Sequence, residues 1–291
     1  MDITSAKTFL AVIEGGSFVA AARRVHVTQS TVSARIKALE DELGKILFIR
    51  TKAACDLTPA GHQFHRYALS LVRIWEEAKH QVAVPEGFED TLIVGGQYSL
   101  WNRLLLWWVP AFRAAAPKVA LRCEIGTPPR LMREMAEGVM DLAVIHQPEH
   151  RPGMVVRELL EDRLILVTTD ASIPFQDNYI FADWGEGFRT MHAAAHPDLM
   201  TPAITLDLGA LGINILLNMR GAAYFPERIV QPHLEKGMLS LVKGAPDFPY
   251  PAYVVYQQDF AAPAIMEQAL QTLFHTAERS LHGDLPKPYW M

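Results

Sequence analysis

Apolar residues recur at helical spacing from Phe18 to Leu43, and the pattern breaks once. Phe18, Ala21, Ala22 and Val25 share one helical face. After His26-Val27 a second stripe begins, with Val32, Ile36, Leu39 and Leu43 at spacings of four, three and four. Ser17 and Thr28 stand where each helix starts, as oxygen acceptors for the orphan N–H groups of the first turn. Gly44 is a stop signal. With the second stripe inward, Ser30, Ala34, Lys37 and Ala38 point away, flanked by Thr31 and Ser33. A solvated face ordinarily carries long Lys and Glu side chains. This one opens Thr28-Gln29-Ser30-Thr31 and holds one cation. A small polar face suits a helix entering a DNA major groove about 12 Å wide, with its N-terminal hydroxyls against phosphate. The alternative is an ordinary helical hairpin with a solvated face.

Past Gly44, Ile46 to Arg50 has strand character and Thr51 to Asp56 can turn. Thr58 then caps a further helix with Pro59 at its first position. A hairpin beside the second helix is a wing, with Arg50, Lys52 and Thr58 as candidate phosphate contacts. From residue 62 to 84, Phe64, Ala68, Leu71, Trp75, Ala78 and Val82 alternate spacings of four and three. That is a coiled-coil seam for a second copy; a helix packed on its own domain is the alternative. Pro85-Glu86-Gly87 breaks the chain.

From Thr91 on, strand and helix patterns alternate. Strands are expected at 91–97, 119–125, 141–146, 154–160, 163–169, 203–206, 222–225 and 252–257. Helices are expected at 99–116, 129–137, 208–219 and 263–281. Such alternation argues for parallel α/β sheets in two units around a cleft.

The segment TFLAVIEGGSFVAAARRVHVTQSTVSARIKALEDELGKILFIR…LTPAG resembles the winged helix-turn-helix of LysR-type transcriptional regulators, from about Lys7 to Gly61. Looser likenesses, Glu137-Gly138-Val139-Met140-Asp141-Leu142-Ala143-Val144 and Gly221-Ala222-Ala223-Tyr224-Phe225-Pro226, extend the resemblance to the rest of the chain. It implies an all-α-type winged helix-turn-helix at 1–61, a linker helix at 62–86 and an effector domain at 87–291. That last domain resembles a periplasmic binding protein. Subdomain I is expected at about 91–168 and 263–291, subdomain II at about 169–262. Homodimers or homotetramers, and RNA polymerase as a further partner, are implied too. Two departures stand out. Much of the family has a base-reading Arg where this chain has Ala34, and here the Arg is next door at Arg35. The family wing is rich in Arg, whereas this one reads Lys52-Ala53-Ala54-Cys55-Asp56. The DNA contacts expected are therefore Ser17, Thr28, Gln29, Ser30, Thr31, Ser33, Arg35, Lys37, Arg50, Lys52 and Thr58.

Charge sharpens this division. The net charge of −5 is unpromising for a DNA binder, but residues 1–85 carry +3 and the remainder −8. Two cysteines make no disulfide framework. The first fifteen residues lack the apolar core of a signal peptide. The run Leu104 to Val109 is far too short to span a bilayer. A cytoplasmic protein with no membrane partner is expected.

Ligands of such folds bind where strand ends meet helix starts. The expected effector residues are Gln97, Tyr98, Ser99, Leu100 and Trp101 after the first strand, and Thr127-Pro128 after the second. His146 follows the third; Trp184, Thr201, Pro202 and Phe225 come from the second unit. Tyr98, Trp101 and Trp184 suggest an aromatic-lined cavity. The expected ligand is a small organic acid, of which an aromatic one would suit the rings, with its carboxylate at Ser99. Trp101 and Trp184 as plain core residues are the alternative. His192 and His196 are four apart, but no third ligand completes a metal site. With no G-x-S-x-G, Walker loop or C-x-x-C, no enzyme activity and no cofactor are expected. A solute receptor without DNA function is the runner-up; the helix-turn-helix argues against it.

Overall fold

The computed structural model describes residues 2–50, 55–199 and 201–281. The chain forms two compact units. One holds the residues up to Thr91 with Arg133–Met140; the other holds Leu92–Met132 and the residues from Asp141 on.

In the first unit α1 spans Ile3–Gly15, α2 Phe18–Arg24 and α3 Gln29–Leu43. Side chains cap each start. Asp2 accepts the Ser5 N–H at 2.7 Å, Ser17 that of Ala20 at 3.1 Å and Thr28 that of Thr31 at 3.2 Å. The turn between α2 and α3 passes through His26 in a left-handed conformation, φ 53°, and the Val27 N–H returns to the Ala22 carbonyl. Val32, Ile36 and Leu39 are buried as expected, but Leu43 is 41% exposed. The last turn of α3 outruns the core, whose final contribution from this helix is Leu39.

The wing is an antiparallel pair, β1 (Phe48–Arg50) and β2 (Cys55–Leu57), with Phe48 opposite Leu57. Glu40 on α3 accepts the Leu47 and Phe48 N–H groups at 2.7 and 3.3 Å and so fixes the strand to the helix. Phe9, Phe18, Phe48 and Phe64 meet ring to ring at 4.9–5.7 Å beneath it. Lys52 lies outside the described residues.

The long helix α4 spans Pro59–Val82. At its start a Cβ on Gly61 would stand 2.3 Å from the Leu47 carbonyl oxygen, so only glycine lets helix and wing approach. The expected seam splits in two. Ala68 is buried with Val72, and Phe64 packs on the unit's own core. Leu71, Trp75, Ala78 and Val82 are exposed. The inward row, residues 64, 68, 72 and 76, keeps a spacing of four and so turns about 40° with each step, which carries the buried side away from the heptad stripe after Ala68. Glu76 ends the inward row, 4% exposed, with Lys7 Nζ at 2.6 Å and Lys79 Nζ at 2.5 Å. Burial pushes its carboxyl up, but the hydrogen bonds from Lys7 and Lys79 outweigh burial and the net shift is down.

The second unit begins with β3 (Asp90–Gly96) and α5 (Tyr98–Leu100), which runs through a π turn at Trp101–Leu105 into α6 (Leu106–Ala115). Then come β4 (Val119–Ile125), α7 (Pro128–Ala136), β5 (Leu142–Ile145), β6 (Met154–Leu160) and β7 (Arg163–Thr168). Next are β8 (Ile180–Ala182), α8 (Glu186–Ala195), β9 (Ile204–Leu206), α9 (Gly212–Asn218), β10 (Ala222–Pro226) and α10 (Glu227–Glu235). Last are β11 (Ser240–Leu241), β12 (Phe248–Pro249), β13 (Ala252–Gln257) and α11 (Pro263–Leu281).

Two larger sheets carry most of these strands, and β8 and β9 form a separate parallel pair. The first has the order β4-β3-β5-β13-β6; the second is centred on β7, which pairs with β10, β11 and β12. Neither is purely parallel. β3 and β5 are parallel, but β13 enters antiparallel to β5 and β6, and every partner of β7 is antiparallel to it. The expected boundaries shift accordingly: β7 belongs with the second sheet and β13 returns to the first. Each sheet has its own apolar core, one with Trp108, Phe112 and the inner face of α11, the other with Trp184, Phe188, Tyr224 and Phe225. Trp108 donates to the Ala269 carbonyl and Thr272 Oγ1, while Trp107 is half-buried.

Candidate DNA-reading surface and effector site

The solvent face of α3 carries Gln29, Ser30, Ala34, Lys37 and Ala38, all exposed, with Thr31 and Ser33 half-buried at its edges. Thr28, Ser30 and Thr31 form a hydroxyl cluster at the helix start, Oγ to Oγ at 2.8 and 2.9 Å from Thr28. These groups crown the positive end of the helix dipole, where phosphate is favoured. Two expected contacts have other occupations. Arg35 turns away from the solvent face, its Nη1 donating to Thr8 Oγ1 on α1 at 3.3 Å. Position 35 is one step round the helix from buried Ile36, so its side chain follows the edge of the core. Thr58 donates to the Ile46 carbonyl at 2.7 Å and accepts the Gly61 N–H at 3.0 Å, so its hydroxyl joins wing to helix. Ser17 caps α2, and Arg50 pairs through its backbone with Cys55.

In the second unit, Gln97, Ser99 and His146 come together. Gln97 Oε1 accepts the His146 N–H at 2.7 Å. His146 Nδ1 lies 3.1 Å from the Pro251 carbonyl, which can only accept, so Nδ1 carries the proton. Nε2 is then an acceptor, and the Ser99 hydroxyl 3.3 Å away donates to it. The ring stacks on Tyr250 at 3.7 Å. Burial, and next the charge of Arg228, push His146 down to about 3, so it is neutral at ordinary pH.

Other expected effector residues lie elsewhere. Trp101 and Trp184 sit in separate cores with their N–H groups already bonded, to the Glu124 carbonyl at 3.0 Å and the Tyr224 carbonyl at 2.8 Å. Trp184 nonetheless touches Tyr250, edge to face at 5.5 Å. Tyr98 and Trp101 line a different recess of about 260 Å³ with Leu106, Glu124 and Ile125. Leu100 and Phe225 are wholly buried. Thr127 is exposed just before α7, where Pro128 stands first; Thr201 is exposed and Pro202 half-buried before β9. An aromatic cavity shared by Tyr98, Trp101 and Trp184 is therefore replaced by a compact polar cluster around His146. His192 and His196 bind tyrosine hydroxyls, Tyr179 at 2.7 Å and Tyr224 at 2.8 Å.

Sequence reasoning passed over Arg228, Asp162 and Tyr250. Arg228 is 8% exposed in the first turn of α10, and its Nε donates to Asp162 Oδ2 at 2.7 Å. The signal was the run Glu227-Arg228-Ile229-Val230 after Pro226, a helix start with a cation among apolar residues. Gln147 also meets the second sheet's elements: a Cβ on Gly185, φ +99°, would lie 2.7 Å from Gln147 Oε1.

A capped reading helix beside a wing, joined in one chain to a paired-sheet binding unit, defines a DNA-binding protein with a ligand-sensing domain. Residues 3–62 match the model of the bacterial regulatory helix-turn-helix proteins of the lysR family, and residues 85–277 match the LysR substrate binding domain. The chain belongs to the LysR family of transcriptional regulators, DNA-binding proteins with an effector-binding domain. The transcriptional regulator HdfR of Yersinia enterocolitica is 29% identical over 98% of this chain and 100% of its own. HdfR of Yersinia pestis is 29% identical over 97% and 99%. The fold is shared with ArgP of Mycobacterium tuberculosis, at 23% identity, 95% and 97% coverage and a TM-score of 0.58. It is shared also with LysG of Corynebacterium glutamicum with bound effector Arg, at 19% identity, 96% and 99% coverage and a TM-score of 0.55. Among the described residues, no helix is long and apolar enough to cross a membrane.

Proposed function

We propose that this regulator binds double-stranded promoter DNA as a homodimer or homotetramer, with α3 in the major groove, and responds to a small organic acid between the two sheets of its second unit. The observation that carries the DNA half is the face of α3. Val32, Ile36 and Leu39 are buried, the exposed side is short and polar at its start, and one cation, Lys37, stands among small neighbours. Self-association rests on α4, where Tyr67, Leu71, Ile74, Trp75 and Val82 are exposed apolar residues along one helix. Two heads on two half-sites then read a roughly palindromic sequence. The effector half is supported by the polar cluster of Gln97, Ser99 and His146 where the sheets meet. LysG, solved with bound effector Arg, offers a fold-level parallel. Binding there shifts the balance between two arrangements of the chain, and so recruits or blocks RNA polymerase.

The test is a footprint on the DNA beside the gene that encodes this chain. Specific, salt-dependent protection of two half-sites is expected. Lys37→Ala is expected to weaken binding by about 1–3 kcal/mol if it reads a base. No specific protection at low salt would sink the reading.

A further inference from the structure

The most unusual side chain between the two sheets is Arg228. It belongs to the second sheet's helix α10, yet its Nη2 donates at 2.9 Å to the carbonyl of Ser99, which follows the first sheet's strand β3. Its Nε is held by Asp162, and that pair is almost wholly buried, with 5% and 3% of the two side chains exposed. Its Nη1 is buried too and, among the described residues, has no hydrogen-bond partner. A guanidinium has five donors in a rigid fork, and a buried donor left unpaired is rare. The Ser99 hydroxyl does not serve an anion in this arrangement, because its proton goes to His146. His146 is neutral, so Arg228 is the cation of this cluster.

We infer that Arg228 is the anion anchor of the effector site: a ligand carboxylate bridges its Nη1 and Nη2, displacing the Ser99 carbonyl from Nη2. Asp162 keeps Nε, so the guanidinium stays oriented while its free fork turns to the ligand. Tyr250, stacked on His146 and edge to face with Trp184, is an aromatic ring that borders the cluster and flanks the rest of the molecule. The ligand class is thus a monocarboxylate with a flat apolar body. Ligand entry exchanges a bond that ties the two sheets' elements for a bond to the ligand, which makes the site sensitive to their separation. This assignment rests on the proposed reading that the second unit binds an organic acid.

Calorimetry on the full chain tests it with benzoate, phenylacetate and indole-3-acetate, each beside its neutral amide. At least one acid is expected to bind at millimolar concentration or below, and at least about tenfold more tightly than its amide. Arg228→Gln is expected to lose about tenfold or more for that acid. Arg228→Gln combined with Asp162→Asn leaves no uncompensated buried carboxylate; checked for folding by circular dichroism, it should show the same loss. Ser99→Ala should lose less than Arg228→Gln, since it removes a neutral hydroxyl whose proton is already given to His146. An acid that binds the double variant as tightly as the unaltered chain overturns the anchor and leaves the organic-acid reading standing. A loss confined to Ser99→Ala does the same and returns the carboxylate to Ser99. If every amide matches its acid, or none of the acids binds the unaltered chain, the organic-acid reading fails and the anchor with it.

Discussion

Single residues in this chain are distinguished by what their polar atoms already hold. Lys37 and Arg35 are two positions apart on α3, but Lys37 is exposed on the reading face and Arg35 is bonded to Thr8. Arg35→Ala is expected to destabilise the first unit by about 0.5–1.5 kcal/mol through that lost bond and packing. Thermal unfolding measures it; an unchanged melting temperature with a weakened footprint would return Arg35 to the groove. The histidines of the second unit give a second expectation. Burial, and then His196, push His192 down to about 4 from 6.5, while His146 falls to about 3. Between these values the unfolded chain takes up protons that the folded chain refuses. Stability from both groups is therefore complete above about pH 6.5 and is lost as pH falls toward 4 and then 3. The slope is about 1.4 kcal/mol per pH unit for each. His192→Gln, which still offers the Tyr179 hydroxyl a partner, should flatten the melting-temperature profile over that window. An unflattened profile would show that His192 is protonated in the folded state.

Elements show where pattern suffices and where it fails. The two helices of the reading head were legible because caps, stripes and stops agree: Ser17, Thr28 and Gly44 mark ends that the hydrogen bonds reproduce. The strands at 119–125, 154–160 and 252–257 were legible as apolar runs, but their pairing was not. Nothing local in Ala252–Gln257 says that it crosses back from the second sheet to the first. Short edge pieces such as Ser240–Leu241 have too few residues for any period. The cluster at His146 was half legible. Gln97 and Ser99 lie at a strand end, whereas Arg228 and Tyr250 reach it only through tertiary packing. On α4 the sequence period is ambiguous because two apolar rows share one helix, and the rows make opposite predictions. Replacing Leu71 and Trp75 by Glu should weaken self-association at least about tenfold and, at concentrations where the chain is monomeric, change unfolding by no more than about 0.5 kcal/mol. Glu76→Gln should do the reverse, losing about 1–2 kcal/mol of stability with self-association unchanged. Analytical ultracentrifugation and thermal melting separate the two. Dimers that survive the Leu71 and Trp75 changes would place the contact elsewhere.

For the whole molecule, the charge division and the two units impose a thermodynamic constraint. Residues 1–85 carry +3 against −8 for the rest, so attraction to DNA is concentrated at one end of a chain that is acidic overall. Affinity for DNA is then expected to fall steeply with salt, and affinity for a small acid held by a buried guanidinium far less so, because buried pairs are screened weakly. If the acid changes DNA affinity by some factor, DNA must change acid affinity by the same factor, since both are legs of one cycle. Couplings of this kind are typically about 5–150-fold. The two titrations, acid into chain with and without its operator and operator into chain with and without acid, should therefore give equal factors at one salt concentration. Raising the salt should weaken both DNA-binding legs together and leave their ratio nearly constant, because counterion release is common to the liganded and unliganded heads. A ratio that collapses toward one as salt rises would mean that the acid acts by altering charge near the DNA. A constant ratio above one means that it acts on the equilibrium between arrangements, the mechanism that a displaceable Arg228–Ser99 bond provides.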